Sequence, residues 1–471
     1  MFKTIIEKEI REIIGSTKFA ISFGVCAVLI LLAFYMGATN YKVSRSHYEA
    51  ALADNKRQLE GLTDWFGVQQ YRIFLPPEPI AALVSGISND IGRITEVRGR
   101  GEMNSYESRF GEEPALAIFR FLDLEFLFGV ILSLFAILLC YDAISGEKER
   151  GTLRLVFANG VPRSLYLVGK MTGALLAIGL PLIVSIAVGS LLLPMLGVPM
   201  SGSDWGRLAM IVLAGLVYVL CFMAISVFVS AITRRSSSSF LILLVVWVVA
   251  VQLVPRASVL LAGRMVDVPT TDELAAQKNK LSSQLWSEDR EKMGKFQPTQ
   301  TTDMQATMQE FNQFMDQLAN DRDAKMQELA SRLNEDRENK QNRQARLGFT
   351  LARISPAASF TLAADALAGT DLGLKNHYRD QANLYQQSYA AFIKSKTGFN
   401  PGGRMVMFRQ IDDKQEKPKP IDPNELPAFQ YTSISIGDAV GSATPDIGLL
   451  LVYSFLAFAG AFVAFNRYDL R

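Results

Sequence analysis

Six long apolar runs constrain the fold of this chain more than any other feature. Each run has about 20 or more residues with few charges, enough helix to cross the ~30 Å hydrocarbon core of a bilayer. The runs lie at residues 19–38, 123–142, 165–196, 208–232, 239–261 and 446–465. We therefore predict an all-α, multi-pass membrane protein with six transmembrane helices, and we expect the first run to be retained rather than cleaved as a signal peptide.

The orientation follows from the distribution of basic side chains. Short cytoplasmic flanks hold an excess of Lys and Arg, and an even number of spans places both termini on one side. The short flanks contain Lys3, Lys8, Arg11, Lys18, Lys148, Arg150, Arg154, Arg163, Arg234, Arg235, Arg467 and Arg471. We predict that both termini are cytoplasmic, with a cytoplasmic loop at 143–164 and a cytoplasmic tail at 466–471. Residues 39–122 and 262–445 then form a large, mainly helical extracytoplasmic region.

Residues 1–18 precede the first span and have a helical period of their own. Charged side chains occupy most faces of this helix. One face carries Ile5, Ile6, Ile10, Ile13 and Ile14. The pattern predicts a cytoplasmic helix lying in the membrane interface. The alternative is an amphipathic helix packed on protein, which also places it at the cytoplasmic surface.

Residues 270–346 are rich in helix-forming side chains and predict a long helical hairpin outside the membrane. From residue 304 the apolar side chains follow a 4-3 spacing that Arg322 interrupts, and such a heptad seam packs one helix against another. The seam comprises Met304, Met308, Phe311, Met315, Leu318, Met326, Leu329 and Leu333. The first arm supplies Leu274, Leu281 and Leu285. The alternative is a solvated, charged helix with no packing role.

Two further stretches belong to the predicted outer region. Residues 349–368 are nearly apolar but contain Arg353, Pro356 and Asp365. Because charges are rare within spans, we predict an interfacial or re-entrant helix here rather than a seventh span. Residues 370–445 are polar and rich in turn-forming residues, which indicates a small outer domain or a loosely ordered connection.

The composition excludes several function classes. The net charge is +2, and the basic residues form no stripe, so nucleic acid is not an expected partner. The three cysteines all lie in apolar runs, and the two histidines are far apart, so neither a disulfide framework nor a histidine metal motif is indicated. The chain contains no phosphate-binding loop and no hydrolase motif. We therefore expect neither catalysis nor a cofactor in this chain.

The loop between the second and third apolar runs carries the most specific pattern. It reads Glu-x-Glu-x-Gly-Thr-Leu at 147–153, continues to adjacent Pro162 and Arg163, and is followed by Gly169 and Lys170. This arrangement resembles ABC-2 type permeases, in which an acidic turn, a short helix, a Pro/Arg element and a Gly-Lys pair join the second and third spans. The segments 76–80, 354–356 and 465–471 resemble the subgroup with large outer insertions.

The resemblance implies the permease subunit of an exporter in the bacterial inner membrane. A separate ABC ATPase would bind ATP and Mg²⁺ and drive substrate export, and a second permease, either a copy of this chain or a relative, would complete a dimer. The implied ATPase-coupling residues are Glu147, Glu149, Arg150, Gly151, Thr152, Pro162 and Arg163. Gly151 and Pro162 would set the turns, and the charged side chains would offer polar contacts. The alternative is that these charges only fix the topology.

A second function competes with export. The long hairpin favours a mechanotransmission or scaffold component, in which the ATPase cycle moves the outer segment against a periplasmic or outer-membrane partner and no substrate crosses the spans.

Overall fold

The computed structural model describes residues 1–68, 70–98, 103–106, 122–297, 304–397 and 420–467. Among these residues, six helices are long and apolar enough to cross a membrane. They are Thr17–Arg57, Leu124–Arg150, Arg163–Met195, Gly202–Ile232, Ser236–Met265 and Ile436–Asn466. Each covers one of the predicted apolar runs to within one residue, so the prediction of a helical chain with six candidate spans is confirmed.

Most of the secondary-structure elements are helices. The helices are α1 Phe2–Ile14, α2 Thr17–Arg57, α3 Leu124–Phe126, α4 Ser133–Cys140, α5 Ser145–Arg150, α6 Thr152–Ala158, α7 Arg163–Met195, α8 Gly202–Ile232, α9 Ser236–Trp247, α10 Val254–Met265, α11 Thr271–Gly294, α12 Met304–Ala352, α13 Pro356–Ala368, α14 Gly373–Thr397 and α15 Ile436–Asn466. The strands are β1 Gln70–Phe74, β2 Ile94–Arg98 and β3 Asn104–Tyr106. Two π-helical turns interrupt spans, at Leu127–Leu132 and Val248–Leu253.

The chain divides into two compact units. The first comprises Met1–Pro255 with Arg353–Arg471, and the second comprises Arg256–Ala352. The first unit holds five candidate spans in full and the first part of Ser236–Met265, and the second holds α11 and α12.

Three aromatic rings pack together in the largely aliphatic core of the first unit. Tyr218 of α8 stacks on Phe360 of α13, with ring centroids 4.9 Å apart, and Phe128 packs 5.7 Å from the same ring. Gly215 lies directly against the Phe128 ring, so a side chain at that position would displace it. All three aromatic side chains are fully buried. Between helices in a bilayer such rings act through close packing, and aromatic pairs contribute about 0.5–1.5 kcal/mol each.

Helix α13 is buried against α8 and α15 rather than lying on a surface. Ser355 caps its first turn, Pro356 follows at the first helical position, and Gly369 ends it in a left-handed conformation. Just before it, the Arg353 guanidinium makes two hydrogen bonds, of 2.6 and 2.9 Å, to the buried Asp446 carboxylate. Helix α13 is therefore packed within the protein, and its position relative to the membrane, interfacial or re-entrant, stays a prediction.

In each π-helical turn, one backbone carbonyl accepts a hydrogen bond from a nearby side chain. The Gly129 carbonyl accepts hydrogen bonds from the hydroxyls of Ser133 at 2.7 Å and Tyr218 at 2.9 Å. The Ala250 carbonyl accepts one from the Ser355 hydroxyl. Because a bilayer offers no water to such groups, these partners make the irregular backbone tolerable. The Trp247 indole N–H then joins the two spans through Ser133 at 2.9 Å.

The first unit also contains a small mixed domain, whose three strands the sequence reasoning does not predict. Strands β1, β2 and β3 form an antiparallel sheet, with Phe74 opposite Ile94 in the first pair. Helix α14 packs on it through tyrosines: the Tyr378 hydroxyl donates to the Ile73 carbonyl at 3.3 Å, and the Tyr389 hydroxyl donates to the Val68 carbonyl at 2.8 Å. Of the alternatives for 370–445, the described part favours a small domain, and 398–419 lie outside the described residues.

Helix α2 is longer than the span it contains. The apolar run ends near residue 38, but the helix has 41 residues and continues to Arg57. At its start, the Lys18 ammonium donates to the Tyr141 hydroxyl at 2.6 Å and to the Asp142 carboxylate at 3.2 Å. Near its end, the Asn55 amide donates to the Arg72 carbonyl in β1 at 2.8 Å.

The second unit is an antiparallel pair of helices. The Gln344 amide donates to the Val266 carbonyl at 3.0 Å, Arg322 pairs with Asp289 at 2.7 Å, and Phe296 lies near Phe311, 5.4 Å between ring centroids. Going forward along the first arm, from residue 266 to 296, the contacted residues go backward along the second, from 344 to 311. The two helices therefore run antiparallel. The side of the membrane on which it lies stays a prediction.

The heptad seam is only partly formed. Leu274, Leu285 and Leu318 are buried, whereas Met308 and Phe311 are exposed. Arg322, which interrupts the seam, is accommodated by the nearly buried Asp289 carboxylate and by the Trp286 ring, 4.0 Å from the guanidinium. An ion pair inside a seam fixes the register of two helices.

Candidate coupling site

Glycine and proline divide the loop between the second and third spans into two short helices. Gly151 ends α5 with a φ of 72°, and Gly160 follows α6 with a φ of 73°. This left-handed conformation strongly favours glycine. Pro162 then takes an extended conformation as the N-cap of α7. A side chain at Gly151 would meet no atom within 4 Å, so this glycine is required by the backbone and not by space.

Helices α5 and α8 cap each other. The Ser230 hydroxyl of α8 accepts hydrogen bonds from the Ile144 and Ser145 backbone N–H groups, at 3.0 and 2.9 Å. In return, the Lys148 ammonium of α5 donates to the Ala231 carbonyl and, at 3.0 Å, to the Thr233 carbonyl. Helix ends leave unpaired N–H and C=O groups, and a cation beside the carbonyl end is also favourable. The two helices are therefore fastened end to end.

Glu147 is buried, in contrast to the other predicted coupling carboxylate. Its carboxylate lies 3.0 Å from the Lys8 ammonium and 3.3 Å from the Lys170 ammonium, and it accepts a hydrogen bond from the Tyr166 hydroxyl. Lys170 also pairs with Glu9 of α1 at 3.0 Å. Burial raises the pKa of Glu9, and the Lys170 charge partly offsets the rise. Glu147 thus holds α5 to α1 and α7 and offers no surface of its own.

The remaining predicted site residues lie around the same end of the first unit. Glu149 is exposed and accepts a hydrogen bond from the Ser236 hydroxyl at 2.7 Å. Arg150 is exposed and lies 3.4 Å from Glu12 of α1. The Thr152 hydroxyl donates to the Glu147 carbonyl at 3.4 Å. Arg163 donates to the last carbonyls of α15, those of Phe465 and Asn466, at 3.3 and 2.6 Å.

A comparison with known protein families identifies the family of this chain. The family model described as ABC-2 family transporter protein matches residues 3–470, nearly the whole chain. The chain belongs to the ABC-2 transporter family. It matches none of the curated proteins. As a member of this family, the chain is a permease subunit, a membrane component of a transporter.

In this ABC-2 permease, α6 presents an apolar side chain outward. Leu153 is 2% exposed and faces the Tyr166 and Phe465 cluster, whereas Leu155 on the other side of the helix is 67% exposed. The Phe157 ring packs between Tyr166 and Phe465 at 5.5 and 5.7 Å and holds α6 in place. Single exposed leucines are common on protein surfaces, so the distinctive feature of α6 is the way it is held and not Leu155 by itself.

Sequence reasoning missed several residues of this site. Lys8, Glu9 and Ser230 carry no recognisable motif, and their roles depend on contacts between distant segments. Lys170 had a signal, because it belongs to the quoted Gly-Lys pair, but no role was assigned to it. In the described part of the chain, no group of three or more His, Cys, Asp and Glu side chains is placed to hold a metal ion.

Proposed function

We propose that this permease couples ATP hydrolysis by a separate ABC ATPase to substrate export across the bacterial inner membrane. The ATPase binds ATP and Mg²⁺ and docks on the cytoplasmic surface formed by α5 and α6. A second permease, a copy of this chain or a relative, completes the dimer. The observation that carries the proposal is that hydrogen bonds and an ion pair hold α5, which leads directly into α6, to two candidate spans, α7 and α8.

The joints of this base explain how a push on α6 reaches the membrane. Lys148 and Ser230 join α5 to α8, Glu147 joins α5 to α7, and Arg163 joins the start of α7 to the end of α15. Helix ends held by charge-assisted hydrogen bonds move together, since separating them leaves buried charges unpaired. A displacement of α6 is therefore transmitted to three spans at once.

The basic side chains support the cytoplasmic assignment of this end. Lys18, Lys148, Arg163 and Arg234 lie in short segments that join or flank the candidate spans. Short cytoplasmic segments are where Lys and Arg accumulate in membrane proteins. Both chain termini and the docking surface then face the ATP pool.

A matched pair of leucines tests the docking surface and its side of the membrane together. A photoreactive amino acid is placed at Leu155, which is 67% exposed, or at Leu384 of α14, which is 65% exposed and on the opposite predicted side. On irradiation of native membranes, position 155 should crosslink to a polypeptide whose peptides contain a phosphate-binding loop. Position 384 should not. Crosslinking of the ATPase at 384, or at neither position, would contradict the proposal.

One observation on the second unit favours mechanotransmission, the alternative function. Residues 256–352 form a compact unit of their own, whose two helices are fixed in register by Arg322, Asp289 and Trp286. A hairpin with a fixed register is suited to transmit force to an outer partner. Such a unit is also separable from the helices that bind the ATPase.

Replacement of residues 271–345 by a short Gly/Ser linker distinguishes the two functions. Because this segment packs within its own unit, we expect membrane insertion and crosslinking at position 155 to be retained. If the chain acts by mechanotransmission, any cellular phenotype of a strain that lacks the chain should reappear in the deletion variant while ATP hydrolysis continues. If that phenotype does not reappear, the export function stands alone.

A further inference from the structure

We propose that the N-terminal helix α1 is a fixed part of the coupling site, seated on α7 by Gly169 and Gly173 and locked there by Lys170. Lys170 is thus a positioning residue that acts through Glu9 and Glu147. This inference rests on the proposed coupling function of α5 and α6. It assigns a role to the Gly-Lys pair that the docking surface leaves unexplained.

The seat is formed by two glycines one helical turn apart on α7. A Cβ atom built on Gly169 would lie 2.8 Å from the Cγ2 atom and 3.2 Å from the Cβ atom of Ile5. A Cβ atom built on Gly173 would lie 2.7 Å from the Cβ atom of Glu9 and 3.2 Å from the Ile6 carbonyl oxygen. Real Cβ atoms essentially never approach another atom within 3.0 Å, and 3.2 Å is tighter than most of their contacts. Small residues at a spacing of four let two helices pack with their backbones close together.

The buried ammonium of Lys170, which lies between the two glycines in the sequence, holds α1 in this position. Lys170 is 4% exposed and pairs with Glu9 of α1 at 3.0 Å and with Glu147 of α5 at 3.3 Å. Two carboxylates from two different helices thus share one cation on a third. If that cation is removed, both carboxylates lose a partner in a buried place, which drives the helices apart. Lys8, which is half-exposed, adds a second cation only to Glu147.

The position of α1 on α7 also determines the position of the docking surface. Helix α6 follows α5 directly through Gly151, and α5 is held to α7 by the same ammonium that holds α1. Arg150 of α5 also pairs with Glu12 of α1 at 3.4 Å. When α1 leaves its seat, α5 loses contacts on two sides, and α6 loses its fixed position relative to the spans.

A disulfide measures the seating directly. Ile5→Cys and Gly169→Cys are introduced into the full chain with Cys26, Cys140 and Cys221 changed to Ala. Ile5→Cys removes the Cγ2 atom that a Cβ atom at position 169 would meet at 2.8 Å, and the Cβ separation that remains is 3.2 Å. The helices need to part by only a few tenths of an ångström to reach the 3.5–4.5 Å of ordinary disulfides, so the pair should oxidise rapidly, and every variant is compared with this same parent pair. Glu7→Cys with Gly169→Cys is the control, because the exposed Glu7 side chain points away from α7. The control pair should remain reduced.

The variants of Lys170 then decide the proposal. Lys170→Met should slow oxidation by about tenfold or more, since it leaves two buried carboxylates without their shared cation. Adding Glu9→Met should restore the rate, because an apolar pair can replace a buried ion pair. Equal rates in the parent and in Lys170→Met would overturn the proposal. So would a slow double variant that stays monodisperse. If Lys170→Met does not fold, Glu9→Gln, which removes the α1 carboxylate charge alone, replaces it in the same comparison.

A second readout connects the seat to coupling. Crosslinking of the ATPase at position 155 should fall in Lys170→Met, return when the engineered disulfide between positions 5 and 169 is closed, and fall again on reduction. A closed disulfide that restores nothing contradicts a positioning role for Lys170. If the parent chain itself gives no ATPase crosslink, the proposed function fails, whereas the oxidation rates still decide whether Lys170 seats α1.

Discussion

Glu147→Lys is expected to destabilise the first unit by about 3–5 kcal/mol, the loss typical of a broken buried ion pair. The new ammonium would lie beside Lys8 and Lys170, which are 3.0 and 3.3 Å from the present carboxylate. Three cations would then share a site in which Glu9 is the remaining acid. The measurement is the temperature at which half of the detergent-purified chain remains monodisperse on size exclusion.

Glu149→Lys is the matched control for this prediction. Glu149 has the same side chain two residues further on, but it is exposed and accepts one hydrogen bond, from Ser236. Surface substitutions of this kind change stability by about 0.5 kcal/mol or less. Should the two lysine variants lose stability at the same temperature, the buried network around Glu147 does not hold α5 in place.

Gly151→Val is expected to reduce ATPase crosslinking at position 155 by about tenfold while leaving the chain folded. A residue with a side chain is disfavoured in the left-handed conformation by about 1–2 kcal/mol, with β-branched residues the worst, and 1.4 kcal/mol corresponds to a factor of ten. No atom lies within 4 Å of the new Cβ atom, so the effect must act through the backbone. The turn then opens and α6 changes direction relative to α5.

Gly151→Asn separates this explanation from a loss of space. Asparagine tolerates the left-handed conformation far better than valine and has a side chain of similar size. We expect crosslinking close to that of the parent chain. Equal losses in the valine and asparagine variants would mean that the surface at Gly151 contacts the ATPase directly, and that the direction of α6 is not the deciding factor.

The spans could be predicted from the sequence because the signal for a membrane helix is local. A run of about 20 apolar residues identifies itself without knowledge of its neighbours. The turns at Gly151 and Pro162 could also be predicted, because glycine and proline each favour particular backbone conformations. The apolar run at 19–38 gives the span but not the full length of α2, because the polar second half continues the helix to Arg57 without any hydrophobic signal.

The contacts of the site could not be predicted because they join distant segments. Glu147 was expected to face a partner, as charged side chains usually do, yet Lys8, Tyr166 and Lys170 bury it from three directions. Strands β1 and β2 are five residues long and β3 is three, too short for an alternating pattern to be distinctive. Arg322 was treated as an interruption of the seam, because Asp289 lies 33 positions earlier.

Helix α2 has a mechanical consequence. At one end Lys18 contacts Tyr141 and Asp142, directly before the coupling helices, and near the other end Asn55 holds a strand of the small sheet. A single helix of 41 residues is a stiff rod. At 1.5 Å per residue it is about 60 Å long, so a tilt of about 5° displaces its far end by about 5 Å. A small rotation at the Lys18 end of α2 would therefore be amplified into a movement as wide as a helical turn at the sheet.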